Sequence, residues 1–102
     1  MVTIIQIIKV PPGEAPLWVR EALVGLVFPA YKVGRNMLEN QTNALGGPPG
    51  LENLGGFKIF KKDAMTILDL NNKKVADWCK NDPLIEKHDV FVFDRKFCKI
   101  TK

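Results

Sequence analysis

The amino-acid sequence predicts an α+β domain: a small, strongly bent antiparallel sheet or SH3-like barrel of about five strands, with two short helices inserted between strands three and four. Three observations point there. Short β-branched and aromatic runs recur at 2–10, 18–28, 57–61, 90–93 and 97–101, separated by Pro, Gly, Asn and Asp clusters. Apolar residues at helical spacing are confined to one segment, 63–81. With 102 residues, 46% hydrophobic and 25% charged, the chain suits a single domain over 1–102 with one ordinary core.

Residues 2–10 are dense in Ile and Val, whose branching at Cβ favours the pleated backbone, and they read as the first strand. Ile5 and Ile7 share one face and Ile4, Gln6 and Ile8 the other, so the strand is apolar on both sides and belongs inside the sheet. Pro11-Pro12-Gly13 ends pairing and turns the chain, and Pro16 closes the turn. From Leu17 two patterns compete. Leu17, Val19 and Leu23 fit alternation, whereas Val19-Arg20-Glu21-Ala22-Leu23 taken alone suits a helical turn. Val24-Gly25-Leu26-Val27-Phe28 favours extended structure, giving a second strand over 18–28 with Gly25 at a bulge or close approach. Pro29 has no N–H to donate and so places Tyr31-Lys32-Val33 on an edge.

Residues 34–56 are rich in Gly, Pro and Asn and hold only a few leucines, which predicts a mobile loop inserted into the domain. Phe57-Lys58-Ile59-Phe60-Lys61 returns the chain to the sheet as strand three. Asp63 is placed to cap a helix over 63–70, with Ala64, Ile67 and Leu68 at i, i+3 and i+4. Asn72 is placed to cap a second over 73–81, where Val75, Trp78 and Cys79 repeat the spacing until Asp82-Pro83 stops it. Leu84 and Ile85 anchor the returning chain. Val90–Phe93 and 97–101 then form a hairpin around Asp94-Arg95-Lys96, with Cys98 and Ile100 facing in.

The formal net charge is +4, with lysines concentrated in the second half. That charge is compatible with nucleic acid or an acidic partner and equally with a solvated face. Cys79 and Cys98 stand 19 positions apart with a single histidine, His88, between them, which is neither a zinc pattern nor a disulfide scaffold. Both cysteines fall on apolar positions, predicting inert packing. No cofactor signature, no metal site, no signal peptide and no membrane-spanning run is read, so a cytoplasmic protein with no membrane partner is expected. No spacing forces two carboxylates into one apolar pocket, so no catalytic acid is assigned and the chain leans away from an enzyme.

Three functional readings follow. The first is a non-enzymatic protein- or peptide-interaction module using the 17–33 edge and the 34–56 loop, with Trp18, Arg20, Tyr31 and Arg35 as contact residues, because Trp, Tyr and Arg concentrate at interface hot spots. The second is a nucleic-acid binder using Lys58, Lys61, Lys62, Lys73 and Lys74, with Phe57, Phe60, Phe91 or Phe93 as a stacking face. The third is a small enzyme or accessory subunit completed by a partner. A homodimer through strand edges or the Val90–Phe93 run is compatible with each.

Ala15-Pro16, Trp18-Val19-Arg20 and Val24-Gly25, with Ala64…Leu68 and Ala76-Asp77-Trp78, resemble a pattern in short uncharacterised bacterial proteins. The resemblance implies a bacterial cytoplasmic protein and carries no functional residues.

Overall fold

The computed structural model describes residues 2–13, 15–33, 55–82 and 89–101. In chain order these form β1 (Thr3–Ile7), α1 (Leu17–Leu23), β2 (Val27–Val33), β3 (Gly56–Phe60), α2 (Lys61–Asn71), α3 (Lys73–Asn81), β4 (Val90–Asp94), a 3-10 turn (Arg95–Phe97) and β5 (Cys98–Ile100). The strands make one antiparallel sheet in the order β4-β3-β2-β1-β5, so the class is α+β. The sheet is not closed: among the described residues no ladder joins β4 to β5, its two edges.

It is nevertheless curled. The first half of β2, Val27 to Ala30, pairs with β1, while Tyr31 to Val33 pairs with β3, so one strand serves two ladders. In a flat sheet β4 and β5 would stand four strand spacings apart, roughly 19 Å. Only Arg95–Phe97 links them, and a 3-10 turn rises about 2 Å per residue. A sheet rolled toward itself reconciles the two lengths.

The strand expected over 18–28 is instead α1 followed by the start of β2. The carbonyl of Pro16 accepts the N–H groups of Val19 at 3.0 Å and Arg20 at 3.2 Å, which starts the helix. Val19 and Leu23, four residues apart, are its buried face, and that spacing outweighs the alternation that Leu17 suggests. Val24 returns to extended backbone, and Gly25, at φ 92°, turns the chain into β2. Gly25 is therefore a helix-to-strand corner rather than a bulge, secured by its N–H donating to the Ile7 carbonyl at 2.8 Å.

Nor do residues 27–33 form an edge: β2 is paired on both sides. Pro29 is tolerated there because Ile7, Phe28 and Ala30 carry the hydrogen bonds between β1 and β2. Its missing donor points to the side where the β3 ladder begins only at Tyr31. The terminal hairpin is likewise replaced. The turn sits where expected, with Asp94 Oδ1 accepting the Lys96 N–H at 3.1 Å, but β4 pairs with β3 and β5 with β1.

The helices of 61–71 and 73–81, which lie between β3 and β4 in chain order, pack against each other. Asn72 caps α3, its Oδ1 accepting from Val75 N at 3.3 Å. Asp63 is not a cap. The preceding residue of α2 is Phe60, and Asp63 lies within the first turn, because the helix starts directly out of β3.

Inward residues of the sheet, Ile5, Ile7, Phe28, Ala30, Phe57, Ile59, Phe91 and Phe93, meet Val19 and Leu23 of α1, Ala64 and Leu68 of α2, and Val75, Ala76 and Cys79 of α3 in one core. Burial of this kind is worth about 1.5–3 kcal/mol for each large side chain.

Candidate functional site

Two surfaces stand out, and they divide the residues that the sequence groups together. The first is the corner made by α1. Its inner face is fixed by Val19 and Leu23, and Arg20 turns back along the chain: Nε donates to the Ala15 carbonyl at 2.8 Å and Nη1 to that of Pro11 at 3.3 Å. Arg20 thus staples the proline turn to the helix, over a fully buried Pro11. Two of its guanidinium donors are thereby engaged by its own chain. Trp18 is different. It is 50% exposed beside Leu17 at 54%, on a helix whose other side is anchored.

With Ile8, Val10, Val24 and Val27, six of the nine exposed large apolar side chains among the described residues belong to 8–27 in sequence. Hydrogen bonds from Ile7 N to the Leu26 carbonyl (3.1 Å) and from Gly25 N to the Ile7 carbonyl bring Val24 and Val27 alongside Ile8.

The second surface is the outward side of β2, β3 and β4. Register aligns Tyr31, Lys58 and Val92 across the three strands. Tyr31 meets the ring of Phe60 edge-on, with centroids 5.4 Å apart at 72°, and Lys58 Nζ lies 5.4 Å from the same ring centre. Phe60 also lines an open recess of about 410 Å³ with Lys61, Lys62, Met65 and Asp89. A hydrogen bond from Lys61 N to the Asp89 carbonyl at 2.7 Å holds the two sides of that recess together.

Tyr31 therefore belongs with Lys58, Lys61 and Lys62 rather than with Trp18 and Arg20. Lys73 and Lys74 are set apart on the first turn of α3, where Lys74 borders a shallow hollow with Asp77, Trp78, Asn81 and Asp82. Of the phenylalanines named for stacking, Phe57, Phe91 and Phe93 are buried and only Phe60 is partly open. Met65 was missed; its place four residues after Lys61, on the same side of α2, could have flagged it. Arg35, His88 and residues 34–54 of the expected loop lie outside the described residues.

Both thiols are buried. Burial, with Asp82 adding and Lys61 opposing, pushes Cys79 up to about 11. Burial and then Asp94 push Cys98 up to about 12, and its Sγ donates to the Asp94 carbonyl at 3.7 Å. Thiolate is the reactive form, so neither environment favours nucleophilic chemistry. Among the described residues no three His, Cys, Asp or Glu side chains gather as a metal ion requires, and no helix is long and apolar enough to cross a membrane. Comparison with known protein families, with curated proteins and with solved structures gave no match.

Proposed function

We propose that this domain is a non-enzymatic interaction module that binds a protein partner on the α1 corner, with Trp18 and Leu17 as its anchors. The observation that carries the reading is the gathering of six exposed apolar side chains on 8–27, on a helix that Val19, Leu23 and Arg20 hold rigid. Exposed aromatic and aliphatic side chains on an anchored helix are what a partner can desolvate at little entropic cost. A photo-crosslinking phenylalanine analogue placed at position 18 or at position 70 tests it, since Leu70 is 81% exposed but isolated on α2. A discrete adduct from position 18 and not from 70 supports the corner. Equal labelling from both, or none from 18, removes it. A homodimer is one form the adduct can take, distinguished by its mass.

A second reading is favoured by the row of Tyr31, Lys58 and Phe60 beside the lysine-rimmed recess: single-stranded nucleic acid held by stacking and phosphate contacts. Its test is a salt series with an oligothymidylate, in which affinity should fall steeply with salt and drop on Phe60→Ala. We further read the rolled sheet as a small SH3-like barrel left open between β4 and β5, supported by the 3-10 turn that joins its two edges. A cytoplasmic setting is supported by the two unbonded thiols.

A further inference from the structure

The edge formed by β5 brings backbone groups, an apolar side chain and charge to one recess. Ile8 N donates to the Phe97 carbonyl at 2.9 Å and Thr101 N to that of Ile4 at 2.8 Å. Alternation then directs the backbone of Cys98 and Ile100 away from β1. The Cys98 N–H is taken by the Arg95 carbonyl, which leaves the Cys98 carbonyl and both the N–H and the carbonyl of Ile100 on the outer side.

Ile100 shares the inward face with buried Cys98 yet is 45% exposed, because the sheet stops there. An open recess of about 410 Å³ follows this edge, floored by Phe57, Cys98 and Ile100 and rimmed by Arg95, Lys96 and Lys99, with no acid among the described residues that line it. A second copy of β5 added antiparallel would bring lysines of the two edges together, which opposes self-pairing.

We propose that the outer edge of β5 accepts an extended acidic segment of a partner protein as an added strand. Its main chain bonds to the Cys98 carbonyl and to Ile100, an apolar side chain covers Ile100, and its carboxylates meet Arg95, Lys96 and Lys99. This inference does not rest on the α1 corner, because its readouts are at Ile100 and Lys99 rather than at Trp18.

The probe is the peptide acetyl-Glu-Val-Glu-Val-Glu-Val-Glu-amide, titrated into the full chain at low salt. Saturation should slow exchange of the Ile100 amide hydrogen about tenfold, and Lys96→Glu with Lys99→Glu should weaken binding about tenfold. The same peptide N-methylated at its valines, which leaves the protein untouched, should lose binding. An Ile100 amide unchanged by the peptide, or already protected in the free protein, overturns the proposal. So does equal binding of the N-methylated peptide, or an oligothymidylate of the same charge protecting this edge instead.

Discussion

Arg20 shows how a residue type suggests one role and its bonds another. Arginine next to tryptophan reads as an interface pair, but the guanidinium holds the carbonyls of Ala15 and Pro11. Arg20→Met, which keeps the apolar stem, should therefore cost about 1.5–3 kcal/mol of stability, measured by urea unfolding, while leaving crosslinking from position 18 in place on the folded protein. Crosslinking lost without any loss of stability would reverse the assignment. The thiols behave as their apolar positions imply, and they make a pH prediction with a definite sign. Their folded values lie above the ordinary 9.0, at about 11 for Cys79 and about 12 for Cys98. The stabilisation is whole below pH 9 and drains as pH rises, because the unfolded chain releases protons that the folded one retains. Each thiol should contribute on the order of 2–3 kcal/mol to the loss by pH 11. The Cys79→Ala/Cys98→Ala variant should show a flatter decline between pH 9 and 11 in urea titrations; an unaltered slope would count against the burial account.

At the scale of elements, legibility followed the strength of the local signal. Asn72 could be named as a cap because the apolar spacing restarts immediately after it, and it does cap α3. Asp63 looked equivalent, but β3 runs straight into α2 and leaves no room for a cap there. Asn72→Ala should accordingly cost about 1 kcal/mol, whereas Asp63→Ala should stay within about 0.5 kcal/mol, both by thermal or urea unfolding. The strand expected over 18–28 does not form because the extended backbone of β2 begins only at Val27, beyond the turn at Val24-Gly25. The physical boundary is the positive φ at Gly25, which sequence alone shows only as a glycine. A Cβ placed on Gly25 meets nothing within 4 Å. Gly25→Ala should thus cost about 1–2 kcal/mol from backbone conformation alone, with no repacking. A neutral result would mean that the corner relaxes.

For the molecule as a whole, the presence of about five short strands could be read locally but their pairing could not. Asp94-Arg95-Lys96 signals a turn, and nothing in the turn says whether the next strand joins its neighbour or the far edge. That choice is made by β1, more than ninety residues earlier, whose Ile5 and Ile7 need cover along their whole length. The same distance hid the sites, since Tyr31 meets Phe60 only through the register of β2 on β3. If β5 completes the sheet through β1, removing residues 98–102 strips partners from Ile4 and Gln6 and exposes a β1 edge lined by isoleucine, a template for association. The truncated chain should then lose its sharp urea transition and scatter light at concentrations where the full chain does not. Retention of the same midpoint and slope would show that the β1–β5 ladder is dispensable, and the rolled sheet would have to be held by its helices instead.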